Sequence, residues 1–194
     1  MIKKKQTKKE KIKIIYGIGN EDKKYEQTKH NIGKEIVKFY LKNPIILKKS
    51  IFEKINNLIL ATNLGYINDS GKGLKELKEK FKFKTENILV IHDDADLNFP
   101  IFKTSFSCNS AGHKGIESII KNLKTKNFWR FRIGIQGKKR IAAQEIALKK
   151  LSPKEIENLQ LIKRKFKIIL DKLNEGYLPN ELNLSKNFFI NEKF

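Results

Sequence analysis

The sequence predicts an α/β fold: a single domain built on a twisted mixed β-sheet, flanked by helices and ending in a long C-terminal helix. Three observations predict it. β-Branched runs bounded by glycine and polar residues alternate with segments whose apolar residues recur every three to four positions. The run "NILVIHD" at 87–93 is almost continuously apolar, as a strand covered on both faces must be. A complete helix-start signal near residue 152 is followed by a long apolar stripe. Strands that alternate with helices bury their apolar surfaces by laying the helices on a sheet.

The elements follow in order. Residues 1–11, "MIKKKQTKKEK", are too poor in apolar groups to order themselves and read as a basic, flexible tail, with one domain over 12–194. "IKIIYGIG" from Ile12 reads as a strand that ends in glycines. A helix is expected near Asn31, with Ile32, Ile36 and Tyr40 on one face. "SIFEKI" and "NLILATNL" flank Asn56-Asn57, which suits a hairpin turn. Asn68, Asp69 and Ser70 are candidate caps for a helix whose stripe is Leu74, Leu77 and Phe81. "FKTSF" at 102–106 is a further strand. Ile116, Ile119, Ile120 and Leu123 mark a helix, and "WRFRIGI" at 129–135 alternates as a strand. The last helix has Ser152 as cap, Pro153 at its first position and Glu155 completing a capping box. Its stripe runs Ile156, Leu159, Ile162, Phe166, Ile169, Leu173, and Gly176 ends it.

Composition bounds the function. Lys plus Arg is 42 against 21 for Asp plus Glu, a formal charge of +21. Such a field attracts polyanions, nucleic acid first among them. The bland alternative is a lysine-rich solvated surface, since the chain is also heavy in Ile and Asn. The single cysteine, Cys108, forms no internal disulfide, and no Cys/His spacing suits zinc. No apolar h-region follows the basic N-terminus, and no apolar run is long enough for a membrane span, so a cytoplasmic protein is expected.

The chemistry concentrates at two expected strand ends. "IKIIYGIG" leads to Asn20 and "NILVIHD" to Asp93. If both strands are central and parallel, the two residues face one crevice, as ligand sites in open α/β sheets do. His30, near the start of the first helix, faces it too. An Asn, a His and an Asp together have the composition of a general-base site: imidazole takes a proton, carboxylate orients it, amide positions substrate. Read alone, His30 is a structural histidine and Asp93 a turn cap. Asp93, Asp94 and Asp96 also offer carboxylates to a hard cation, although successive side chains on a strand diverge. "GIGNED" lacks the third glycine of a dinucleotide loop because Asp22 stands there, so Gly17 and Gly19 serve a tight turn and close packing.

These residues fall into a pattern. "GIGN" (17–20) with Tyr25, "TKHNIG" (28–33), "INDSGK" (67–72), "HDDADL" (92–97), "SAGHKG" (110–115) and "FWRFRIGI" (128–135) occur in this order, and all three histidines lie within them. With these segments the sequence resembles the bacterial peptidyl-tRNA hydrolase family. The resemblance implies hydrolysis of the ester between a peptide and the tRNA 3′-terminal ribose, by a monomer, without metal or other cofactor. It implies that His30 is the base that activates water and that Asp93 orients it. It assigns Asn20 and Asn68 to positioning the peptide and the tRNA terminus, and Arg132 to tRNA phosphate. Tyr25, Asn31 and His113 fall among the same substrate contacts.

The sequence also departs from the family. Glu21-Asp22 replaces its usual Pro-Gly. Lys114 replaces an asparagine used in substrate binding, and lysine donates hydrogen bonds but accepts none. Ser105 stands where a basic residue is common, with Lys103 two residues away on the same face as its substitute. These departures leave a second reading open, a catalytically weak homologue that acts as an RNA-binding module.

Overall fold

A computed structural model of the chain describes residues 11–183 and 188–191. The expected basic tail, 1–11, lies outside the described residues apart from Lys11. Seven strands form one sheet: β1 (Ile14–Gly17), β2 (Ile45–Ile46), β3 (Ser50–Ile55), β4 (Leu58–Asn63), β5 (Ile88–Asn98), β6 (Phe102–Phe106) and β7 (Trp129–Gln136). Their order is β2-β3-β4-β1-β5-β7-β6. The central strands β4, β1, β5 and β7 run parallel, and the edges β2, β3 and β6 pair antiparallel. The sheet is therefore mixed, as the alternation of elements predicts.

Helices cover both faces. They are α1 (Ile32–Lys38), α2 (Ser70–Phe81), α3 (Lys114–Leu123), α4 (Ala143–Leu148), α5 (Pro153–Glu175) and α6 (Phe188–Asn191). Alternate strand residues divide between two cores, as the pleat requires. Ile15, Leu89, Ile91, Phe131 and Ile133 pack with α1 and α5, while Ile14, Tyr16, Ile88 and Val90 pack with α2 and α3. That division explains why "NILVI" carries no polar residue after its asparagine. The sequence stripe of α5 is the buried one: Leu159, Ile162, Phe166, Ile169 and Leu173 are all buried. Its capping box forms, with Ser152 N–H donating to Glu155 Oε2 at 2.8 Å, and Gly176 ends it at φ 102°.

Two expectations need correction. The strand that carries Asp93 does not end there: β5 continues to Asn98. The crevice forms for a different reason, because β1 stops at Gly17, opposite Ile91, and leaves the later part of β5 without a neighbour on that side. The helix expected near Asn31 is also shorter, with a 3-10 turn at Lys29–Asn31 before α1 and Tyr40 beyond its end.

Glycine fixes how α1 meets the sheet. A Cβ on Gly33 would lie 2.2 Å from the Ile91 carbonyl oxygen, and one on Gly17 would lie 2.2 Å from the Gly33 carbonyl oxygen. Both obstacles are backbone and cannot step aside. This contact brings the 3-10 turn of His30 against β5. Gly33→Ala is expected to force the two apart, lowering the melting temperature by roughly 6–12 °C through a strain of about 3 kcal/mol. Thermal unfolding followed by circular dichroism checks it; an unchanged melting temperature would mean that the contact is not tight.

Candidate active site

The His30 turn is bolted down by its neighbour. Lys29 is 6% exposed, an unusual state for lysine. Its Nζ donates to the Ile135 carbonyl at 3.0 Å and to Glu155 Oε1 at 2.5 Å. Its backbone N–H donates to the Lys149 carbonyl at 3.0 Å, and Thr28 forms a β-bridge with Lys150. Glu155 thus caps α5 and ties the turn to that helix.

His30 Nδ1 lies 2.8 Å and 2.9 Å from the two carboxylate oxygens of Asp93. Since a carboxylate accepts, Nδ1 carries the proton, and Nε2 keeps its lone pair with no partner among the described residues. Burial alone would lower the His30 pKa, but the charge and hydrogen bond of Asp93 outweigh it and raise it above the ordinary imidazole value. Burial would raise the Asp93 pKa, yet the His113 and His30 rings beside it hold it far below the usual carboxylate range. His92 lies beneath, its Nδ1 donating to the Asp93 carbonyl at 2.7 Å, and burial lowers its pKa well below normal.

The surrounding cleft has a volume of about 520 Å³. His30, Asp93 and His113 line one part of it, Lys114 and Arg132 another, and Ala143, Ala147 and Leu148 of α4 form an apolar wall. The apolar wall was not read from the sequence, although Ala143 and Ala147 stand at helical i, i+4 spacing.

The other expected residues take distinct places. Asn20 is fixed despite the altered turn, because Glu21 exchanges hydrogen bonds with Gly65 and Asp22 caps the following 3-10 helix. Asn20 Oδ1 accepts from Ile67 N–H at 2.9 Å, and its Nδ2 has no partner among the described residues. Asn68, next to Ile67, is exposed, its amide likewise unpaired among them. Asn31 was expected to touch substrate, but its amide is spent beneath the site. It accepts from Asn20 N–H at 2.8 Å and donates to the Asn20 carbonyl at 2.9 Å. Tyr25 stands edge-on to Tyr66, with ring centres 6.5 Å apart. Arg132 is ion-paired with Asp94 at 2.6 Å. Lys103, its register partner on β6, is exposed and has no ion-pair partner among the described residues. Lys114 is 64% exposed at its side chain and pairs with Glu117 at 3.1 Å.

The three aspartates do not gather. Asp94 is engaged by Arg132 and by the Asp96 N–H, and Asp96 is exposed. Among the described residues, the group with metal-compatible spacing is His30, Asp93 and His113. Its facing atoms are already hydrogen-bonded, nitrogen donors to a carboxylate.

A parallel-centred α/β sheet with a His–Asp pair in the crevice past β1, the other imidazole nitrogen without a partner among the described residues, fits the class of enzymes that work through a general base. Comparison narrows the class. The sequence model of the peptidyl-tRNA hydrolase family matches residues 14–192, and the chain belongs to that family. It is 37% identical over 190 residues to the peptidyl-tRNA hydrolase of Lactobacillus gasseri, covering 89% of this chain and 100% of that one. It is 38% identical over 160 residues to that of Hydrogenobaculum, covering 79% and 84%. The crystal structure of peptidyl-tRNA hydrolase from Acinetobacter baumannii superposes with a TM-score of 0.74 at 25% identity, covering 92% of this chain and 97% of that one.

Proposed function

We propose that this chain hydrolyses the ester between a peptide and the 3′-terminal ribose of tRNA, with His30 as general base and Asp93 as its orienter. The observation that carries it is the His30–Asp93 pair, 2.8 Å apart, with Nε2 left free at the cleft. Water gives a proton to Nε2 as its oxygen attacks the ester carbonyl. Asp93 balances the imidazolium, which returns the proton to the leaving ribose oxygen as the tetrahedral intermediate collapses. The products are a peptide with a free carboxyl group and a tRNA with a free ribose hydroxyl. Lysine, protonated at neutral pH, could not act as this base, which accounts for a histidine in so lysine-rich a chain.

The amide of Asn20 and the exposed amide of Asn68, unpaired as donors among the described residues, are read as the groups that position the substrate. Lys103 supplies an unpaired positive charge for phosphate, beside an Arg132 whose own charge is balanced by Asp94. Among the described residues no helix is long and apolar enough to cross a membrane. The protein is read as a cytoplasmic monomer, working where translation releases its substrate.

The test is release of peptide from peptidyl-tRNA by the purified protein. Turnover that persists under thorough chelation supports the reading, and tight tRNA binding without turnover would favour an RNA-binding module. Lys114 gives a sharper measurement. If its ammonium leaves Glu117 to stabilise the oxyanion, Lys114→Ala lowers kcat about tenfold and moves KM little. A change in KM alone would assign Lys114 to phosphate instead.

A further inference from the structure

Asp93 is held by two imidazoles, and only one of them is accounted for by the base. His113 Nε2 lies 2.9 Å from Asp93 Oδ1, the oxygen that His30 also contacts at 2.8 Å. His113 is at the same time the cap of α3, where its Nδ1 accepts the Ile116 N–H at 3.3 Å. A ring nitrogen that accepts carries no proton, so the ring hydrogen sits on Nε2 and points at Asp93.

We propose that His113 is a positioning residue: the start of α3 selects its tautomer, and in that tautomer it orients the Asp93 carboxylate and shares its negative charge with His30. The proposal rests on the reading of His30 as base. Asp93 has a side chain 4% exposed, so its carboxylate takes its side-chain donors from these two rings. With His113 in place, Oδ1 is fixed between two rings and the carboxylate cannot turn away from His30. The shared oxygen also attracts the His30 proton less strongly than an unshared one, which keeps the imidazole available as a base nearer neutral pH.

The other groups around His30 do not take this role. His92 spends its Nδ1 on the backbone, and Arg132 is neutralised by Asp94. Arg130 donates to the Asn109 carbonyl, and Lys114 pairs with Glu117. Helix α4 turns Ala143, Gln144, Ala147 and Leu148 to the cleft, none of them charged, while its Glu145 pairs with Lys149.

Two substitutions separate the cap from the donor. Asparagine places an acceptor near the Nδ1 position and is a favoured cap, but it is too short to reach Asp93. Glutamine places a donor near the Nε2 position without that cap. His113→Asn is expected to melt within about 2 °C of the wild type, to lose roughly tenfold in kcat, and to move the acid limb of kcat/KM up by about half a pH unit or more. His113→Gln is expected to melt a few degrees lower while its acid limb stays near the wild-type position. A wild-type kcat and acid limb in His113→Asn would overturn the proposal, as would losses in both variants that simply track melting temperature. His30→Ala in the same assay keeps the two readings apart: turnover surviving there defeats the base itself, whereas a dead His30→Ala beside a wild-type His113→Asn defeats only the role of His113.

Discussion

Replacing His30 with alanine is expected to lower kcat by about a thousandfold or more with little change in KM. The His30 ring pairs Nδ1 with the Asp93 carboxylate and leaves Nε2 without a partner among the described residues, at the cleft. Its side chain is 14% exposed at the edge of the cleft, so its loss opens no large core cavity. The melting temperature is therefore expected to move by only about 2 °C, which separates lost chemistry from lost folding. In the wild type, kcat/KM should fall tenfold per pH unit on the acid side, because only the neutral ring accepts a proton. The raised His30 pKa places that limb above the ordinary imidazole value of about 6.5, and activity grows as the pH rises through it. Full peptide release by His30→Ala, or an acid limb below the ordinary imidazole value, would remove His30 from the chemistry.

Asp93→Asn is expected to cost roughly 10²- to 10⁴-fold in kcat, although the shape of the side chain is kept. The carboxylate accepts from Nδ1 of His30 and from Nε2 of His113. An amide has one acceptor oxygen and one donor nitrogen; with the oxygen at the position both rings share, its NH2 meets the His30 Nδ1–H, which contacts both carboxylate oxygens. Turned one way it drives the His30 proton to Nε2, which then has no lone pair for water. It also removes the counter-charge for the imidazolium. The acid limb should accordingly shift to lower pH in whatever activity remains, because the His30 pKa is no longer held up by a negative neighbour. Pre-steady-state peptide release across pH checks both effects; near wild-type turnover in Asp93→Asn would show that orientation and charge at this position are dispensable.

Much of the frame was legible because it depends on local periodicity. The stripe of α5 and its box of Ser152 and Glu155 read directly, and so did the hairpin at Asn56-Asn57, where Asn56 takes φ 54°. The buried strand "NILVI" read from its lack of alternation. What could not be read depends on partners remote in sequence. Lys29 looks like any surface lysine, yet Ile135 and Glu155, 106 and 126 residues away, make it a buried anchor. The family resemblance sets Asn31 among the substrate contacts, and the fold spends its amide on the Asn20 backbone. Nothing in the sequence marks the ion pair of Arg132 with Asp94, 38 residues apart, which only the fold brings together.

The sequence by itself determined the inventory of the site. It placed an imidazole, a carboxylate and free amides in segments whose order specifies the family, and it chose glycine at 17 and 33, where no side chain fits. Tertiary structure alone decided how the inventory is wired. β1 is four residues long, so Asp93 projects past its end into the crevice although β5 continues. The start of α3 then brings His113 onto the same carboxylate as His30. Hydrogen bonds reach about 3 Å, whereas sequence patterns speak only of neighbours along the chain. Which nitrogen carries a proton, and which oxygen receives it, is settled by the groups that folding brings within that distance.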